Sequence, residues 1–282
     1  MYESFWKLRA KLWDEVEKYH ATFIEIVPTI LIAILNTPYP KFKKNQVSSI
    51  EFIGCGSAYL AKNIQETFEE KFSIKVANLY GLSETGATHF DDPRLPERKT
   101  GNIGKPFDIV DAKCFDENGN VINSGEVGEL GIKGPGILKN YYNDTDLYER
   151  CFRGDYFMTG DLVKVDENGI YYYIDRIKDL IIKGGVNIVP SQIDETLLLH
   201  PAIEDAATIG KPDMLLGETI KSYIVLKQDH VVGISSLKSF CKEKIGEFKT
   251  PSEIEIIEVL PKGPSGKILK RELRDRELKL HI

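Results

Sequence analysis

The sequence predicts three architectures in succession: a partial layered α/β lobe over residues 1–100, a small β-barrel or curved sheet over 101–175, and a small α+β domain over 176–282. Three observations predict them. Strand-like and amphipathic helical segments alternate before residue 100, which is the signature of a layered α/β unit with its ligand off the carboxyl ends of the strands. After Gly101 the texture changes to short strands and turns, with Asp-Glu-Asn-Gly repeated at 116–119 and 166–169. After Arg176 helical and strand periodicities mix again over roughly 105 residues, enough for a small domain whose boundary falls at 176–180.

The opening helix is read from Phe5, Leu8, Leu12 and Val16, spaced by three or four with charges between them. A buried strand over Thr22–Val27 follows, and Pro28 with Thr29 starts a second helix running to Leu35. Ile50–Ile53 reads as a short strand, Leu60–Phe72 as an amphipathic helix, and Ile74–Leu79 as a strand that ends at Tyr80. In the middle region Ala112–Phe115 faces Val121-Ile122, and Val163–Val165 faces Ile170–Ile174, each pair across an Asn-Gly. Asn-Gly predicts a hairpin turn with positive φ at both central residues. A calcium loop is excluded because the ligand spacing and terminal Glu of an EF-hand are missing. Further on, Leu180–Ile182, Thr219–Leu226 and Ile254–Val259 read as strands, and Pro190–Leu199 and Ser235–Ile245 as helices.

Composition excludes several classes. Thirty-seven Lys and Arg against 43 Asp and Glu leave a net charge of −6, so no global positive field gathers nucleic acid or an anionic membrane. The basic cluster at 262–279 is interleaved with Glu272, Asp275 and Glu277 and reads as a solvated helix with close ion pairs. Four scattered cysteines and five histidines form neither a disulfide framework nor a zinc site. Residues 1–14 do not resemble a secretory signal, and the apolar run Phe23–Leu35 is 13 residues long and broken by Glu25 and Pro28. A bilayer span needs about 20 residues. The expectation is a cytoplasmic protein with no transmembrane segment.

Three motifs carry chemistry. Tyr80-Gly81-Leu82-Ser83-Glu84 closes a strand: the ring suits a purine, the hydroxyl suits phosphate and the carboxylate suits Mg²⁺. The alternative is a core-packed tyrosine followed by a Ser/Glu pair capping the next helix. Gly54-Cys55-Gly56-Ser57-Ala58 either lets a flat ring lie on the backbone or makes a tight strand-to-helix turn. Asp161, in Thr159-Gly160-Asp161 at an expected strand start, either accepts both ribose hydroxyls or serves a β-turn. Arg176 and Lys267 supply cations, the second from the flexible loop Gly263-Pro264-Ser265-Gly266-Lys267. That loop is not a P-loop, since Ile268 stands where Ser or Thr is needed. A solvated lysine is the alternative there.

The order and wording of these segments resemble the adenylate-forming superfamily of acyl-CoA synthetases, aryl-CoA ligases, peptide-synthetase adenylation domains and luciferases. Gly56-Ser57-Ala58 is similar to its adenine loop, Tyr80–Glu84 to its Tyr-Gly-x-Thr/Ser-Glu signature, and Gly128-Glu129-Leu130 through Tyr142 to its Gly-Glu-Leu…Gly-Tyr-Tyr segment, with Asn140 replacing the last glycine. Thr159-Gly160-Asp161, Tyr173 and Arg176 fall at the family's spacing for ribose and phosphate contacts. Lys183–Ile188, with Gly184 and Gly185, looks like the glycine loop of the thiol channel, and Pro261–Lys267 like the closing lysine loop. The resemblance implies a mobile C-terminal domain pivoting at Lys178, and ATP-dependent activation of a carboxylic acid as an acyl-adenylate followed by thioester formation with CoA or a carrier-protein phosphopantetheine. Ser83, Glu84 with Mg²⁺, and Lys267 would act on phosphate; Tyr80, Gly81, Asp161, Tyr173 and Arg176 would hold the nucleotide.

Departures accompany the matches. The family's Thr/Ser/Gly-rich loop for the β- and γ-phosphates and the first α/β lobe are not found, Asp175 stands where Gly is frequent, and Gln192 where Glu often stands. The sequence therefore resembles the carboxyl-terminal half or more of such an enzyme, and a separate amino-terminal lobe is an expected partner. Two other readings stay open: a non-catalytic nucleotide or acyl-adenylate binding module, and a scaffold using the fold for protein contacts. Wording near Phe5-Trp6 and Glu17-Lys18-Tyr19 leans towards an acyl or aryl acid as substrate.

Overall fold

The computed structural model describes residues 11–39, 42–96, 98–263 and 266–279. Phe5 and Leu8 of the expected opening helix, and Pro264 and Ser265 of the lysine loop, lie outside the described residues. The chain forms two compact units, residues 1–159 with 163–173, and residues 160–162 with 174–282.

The first unit starts with α1 (Leu12–Tyr19), whose Leu12, Trp13 and Val16 face inward. Strand β1 (Phe23–Ile26), helix α2 (Pro28–Leu35), strand β2 (Phe52–Gly56), helix α3 (Lys62–Phe72) and strand β3 (Val76–Leu82) follow. Pro28 occupies the first turn of α2, where its missing N–H costs no intrahelical bond. Strands β1, β2 and β3 are parallel neighbours, and β4 (Gly86–Phe90) and β5 (Lys105–Pro106) extend the sheet antiparallel in the order β1-β2-β3-β4-β5. Beneath it Trp13, Phe68 and Phe72 pack with Leu31, Ile34, Ile53 and Val76; the Trp13 and Phe72 ring centroids are 4.9 Å apart. The edge of this core is ionic: Arg98 reaches Glu69 at 2.8 Å and Asp91 at 2.9 Å and also donates to the Val76 carbonyl, all but shut off from solvent.

A second sheet has the order β10-β9-β7-β6, from β6 (Asp111–Phe115), β7 (Val127–Lys133), β9 (Tyr156–Val165) and β10 (Tyr171–Arg176). Helix α4 (Thr145–Arg150) precedes β8 (Phe152–Arg153), which pairs with β9. Leu130, Ile132, Val163 and Tyr171 form its core. The two Asp-Glu-Asn-Gly turns depart from the expectation: Gly119 and Gly169 have φ of 91° and 73°, but the asparagines do not have positive φ. The Gly119 and Gly169 amides donate to the Asp116 and Asp166 carbonyls at 3.1 and 3.0 Å, which makes each a type I turn followed by a left-handed glycine. Asp116 and Asp166 fix these turns further by accepting backbone N–H bonds at their carboxylates.

The second unit contains a third sheet, order β12-β11-β14-β13, with β15 (Glu253–Ile256) on the other side of β14. Strands β11 (Ile181–Lys183) and β12 (Val186–Ile188) form a hairpin, β13 (Ile203–Asp213) pairs over its length with β14 (Gly217–Leu226), and helices α5 (Pro190–Leu198), α6 (Ile234–Ile245) and α7 (Lys270–Lys279) complete the unit. One face buries Ile181, Ile193, Leu197, Ile220, Ile224 and Leu237; the other buries Ala207, Ile209, Tyr223, Leu260 and Leu273. The architecture is thus a layered α/β lobe, a curved β-sheet and an α+β unit, as the sequence predicts. The 262–279 segment is not simply solvated, since Leu273 and Glu277 are buried.

Candidate functional site

In the first unit the parallel register sets Gly56 beside Leu79. The next residues, Ser57 and Tyr80, therefore emerge at the same carboxyl edge of the sheet. Gly56 is required there: a Cβ would come within 2.8 Å of the Leu79 carbonyl oxygen. Ser57 then adopts left-handed backbone at φ 66°, a conformation that a non-glycine residue rarely takes. Ala58 leads to Tyr59, whose ring lies 5.7 Å from that of Tyr173. Tyr80 rests partly on the core and meets His89 edge-on at 5.6 Å. The glycine segment, Tyr80 and Tyr173 thus share one end of the first unit.

Gly81 does not make a turn. It lies in β3 beside a register shift, where a Cβ would meet the Gly86 carbonyl at 2.1 Å. Its role is close approach of β3 and β4. Ser83 and Glu84 occupy the turn between these strands, so the helix they would have capped is absent and that alternative falls. The turn is held from outside by Leu138, whose N–H donates to the Glu84 carbonyl at 2.8 Å, and by Gly136, where a Cβ would meet Thr85 O at 2.5 Å. The Tyr141 hydroxyl donates to Glu84 Oε1 at 3.4 Å, and burial followed by the Glu84 charge pushes the Tyr141 phenol up to about 12.

In the second unit Asp161 lies inside β9, neither at a strand start nor in a turn. Its side chain is 1% exposed and its carboxylate pairs with Arg176 Nε at 2.9 Å. The guanidinium beside it orients this buried carboxylate. Lys178 sits exposed in a single 3₁₀ turn, Ile177–Asp179. Gly184 and Gly185, at φ 57° and 78°, join β11 to β12 with Lys183 opposite Val186. This two-residue turn with both φ positive is the geometry the Asn-Gly pairs do not take. Lys267 is exposed at the end of a closed loop: Gly263 N donates to Lys267 O at 2.8 Å and Leu269 N to Pro261 O at 2.8 Å. Gly56, Ser57, Ala58, Tyr80, Gly81, Ser83, Glu84 and Tyr173 belong to the first unit, and Asp161, Arg176, Lys178, Gly184, Gly185 and Lys267 to the second.

Sequence reasoning overlooked two side chains here. In the sequence Tyr141 falls within the segment from Gly128 to Tyr142, and nothing there marks it as a partner of Glu84. His89 is buried between Tyr80 and Tyr171, with ring centroids at 5.6 and 4.6 Å, and burial lowers its pKa to about 3.

A family model described as AMP-binding enzyme matches residues 1–142, half of the chain. This chain belongs to the AMP-binding enzyme family. The model for the C-terminal domain of AMP-binding enzymes matches residues 192–267 as well. Among relatives of this AMP-binding family member, the sulfoacetate–CoA ligase of Cupriavidus necator is 35% identical over 263 residues, covering 93% of this chain and 51% of the relative. The long-chain-fatty-acid–CoA ligase of Bacillus subtilis is 34% identical, covering 94% and 47%. Among solved structures, ATP-bound MatB from Rhodopseudomonas palustris superposes with a TM-score of 0.89 at 27% identity, over 96% of this chain and 54% of that one. The o-succinylbenzoate CoA synthetase of Bacillus subtilis with its acyl-adenylate gives 0.82 at 30% identity, over 95% and 54%. The chain spans about half the length of the curated relatives it matches. Among the described residues no helix is long and apolar enough to cross a membrane.

Proposed function

We propose that this chain carries the nucleotide site and closing lysine loop of an acid–thiol ligase. The reaction joins a carboxylate to the α-phosphorus of ATP, releasing pyrophosphate, and the acyl group then passes to the thiol of CoA or of a carrier-protein phosphopantetheine. The observation that carries this reading is the shared edge of Ser57 and Tyr80, set by the Gly56–Leu79 register, in a chain of the AMP-binding family.

The donor set fits the ligands. The left-handed bend at exposed Ser57, continued by Ala58, offers backbone against which a purine would lie flat with Tyr80 beside it. Asp161 would accept the ribose hydroxyls, its carboxylate already oriented by Arg176, and Tyr173 would flank the sugar. Glu84, half-buried and steadied by Tyr141, offers one carboxylate, which suits Mg²⁺ shared with phosphate oxygens. Bound there, the ion would offset charge on the phosphates. Ser83 would orient phosphate oxygens, and the exposed ammonium of Lys267 would stabilise the negative charge that accumulates when two anions approach. Lys178 is the proposed pivot that lets the second unit bring first Lys267 and then Gly184-Gly185 to the reacting centre. The substrate class is an acyl or aryl acid, the compartment the cytoplasm, and a separate amino-terminal lobe would complete the triphosphate cradle.

Acid-dependent exchange of labelled pyrophosphate into ATP tests this, with a panel of acids and with the chain both alone and mixed with an amino-terminal lobe from a relative. Exchange with at least one acid is expected. Its absence under both conditions refutes ligase activity, and AMP binding without exchange would identify a binding module instead.

A further inference from the structure

The inward stripe of α7 is ionic. Lys270, Leu273, Arg274 and Glu277 recur at i, i+3, i+4 and i+7, the spacing at which a helix on a globular unit ordinarily presents apolar side chains. Only Leu273 is apolar. Lys270 Nζ pairs with Asp194 of α5 at 2.9 Å, with side-chain exposures of 17% and 15%. Arg274 pairs with Asp179 of the 3₁₀ turn beside Lys178. Glu277, 1% exposed, accepts from Lys221 at 2.7 Å and from the Tyr223 hydroxyl, with Lys211 at 3.7 Å. Arg276, next to it, pairs with Glu255 of β15. Burial pushes the Asp194 carboxyl up to about 6 against the opposing pull of Lys270, so this pair carries a desolvation cost that a leucine pair would not.

The stripe begins three residues after Lys267. An apolar face tolerates sliding and rotation, whereas ion pairs to α5, to the 3₁₀ turn and to β14 fix both the register and the rotation of the helix. The loop's other end is tied as well, by Lys262 to Asp205 at 2.6 Å and by the bridge between Lys262 and Ile268. We propose that Lys270, Arg274 and Glu277 are positioning residues that set where Lys267 is presented, so that the unit carrying the lysine moves as one rigid piece from Asp179 to the terminal helix. This rests on the reading of Lys267 as the cation of adenylate formation.

The test uses the whole chain as parent, Lys270→Met, Lys270→Arg and Glu277→Gln. Amide hydrogen exchange is read at Gly263 and Leu269 and in β13 and β14. Lys270→Met and Glu277→Gln should each speed the two loop amides by about tenfold or more while β13 and β14 keep their protection, and Lys270→Arg should restore the loop. Where the parent catalyses pyrophosphate exchange, Lys270→Met should lower it by more than about tenfold with AMP affinity held within about twofold. Unchanged loop amides in both charge-removing variants would overturn the proposal. So would an arginine variant as loose as the methionine one, or equal loosening of the two strands, which marks a merely structural role. A parent without pyrophosphate exchange both alone and with the added amino-terminal lobe would refute the ligase reading, and the amide measurement would still decide the positioning one.

Discussion

The two units hold their site residues by different physics. In the first, Ser57 and Tyr80 stand on a sheet edge whose register is fixed by backbone pairing, in a sheet packed on an aromatic core of Trp13, Phe68 and Phe72. In the second, Lys267 stands ahead of a helix whose inward stripe has one buried apolar residue, Leu273, among charges. A sheet edge over a packed core cannot shift by less than a register step, which suits the grip on a planar base proposed for these groups. A helix held by ion pairs keeps a defined orientation without a large apolar face, which suits the reach towards a charged reactant proposed for this loop.

The sharpest way to break this contrast is Phe72→Ala. It removes the ring shared by Trp13, Phe42 and Phe68 and should cost about 3–5 kcal/mol in denaturant unfolding of the first unit, with β13 and β14 amides keeping their exchange rates. Arg98→Met should come next, at about 3 kcal/mol, because Asp91 and Glu69 are left buried without their shared cation. Asp91 already has its pKa raised by burial, with Arg98 opposing, so the loss should shrink in acid, where that carboxyl takes up a proton.

Acid titration sharpens the comparison. His89 has its pKa lowered to about 3 by burial, from an ordinary 6.5. The unfolded chain therefore takes up this proton near pH 6.5 while the native chain resists it until about 3, so His89's contribution is complete above 6.5 and is lost progressively as pH falls towards 3. Measured as urea midpoint against pH, His89→Phe should flatten the acid limb for the first unit and leave the second unchanged. The smallest effect is Asn118→Ala, below about 0.5 kcal/mol, because that asparagine does not take the left-handed conformation that would have required it.

Much of the fold was legible because its punctuation is local. Pro28 opens α2 where expected, the strand–helix alternation up to Leu79 maps onto β1 to β3, and glycines mark the turns. Strand β13, Ile203–Asp213, was not legible: Glu204, Asp205 and three small residues give it no alternation, and its order comes from pairing along β14. The Asn-Gly turns were placed correctly but given the wrong geometry, since a type I turn with a following glycine carries the same dipeptide. In the candidate site, residue types and their order were readable, but contacts were not. Tyr141 bonding to Glu84 joins residues 57 positions apart, and the charges of α7 look alike in sequence whether they face water or Asp194. Charge spacing along a helix reports the pairs within it and says nothing of partners on other elements.

Calorimetric titration of AMP into the parent chain, Tyr80→Ala and Asp161→Ala tests the central claim most directly. The account predicts one AMP per chain for the parent, affinity lowered about tenfold or more without the Tyr80 ring, and binding abolished without the Asp161 carboxylate. Equal AMP affinity in all three proteins, or no binding by the parent, would contradict it.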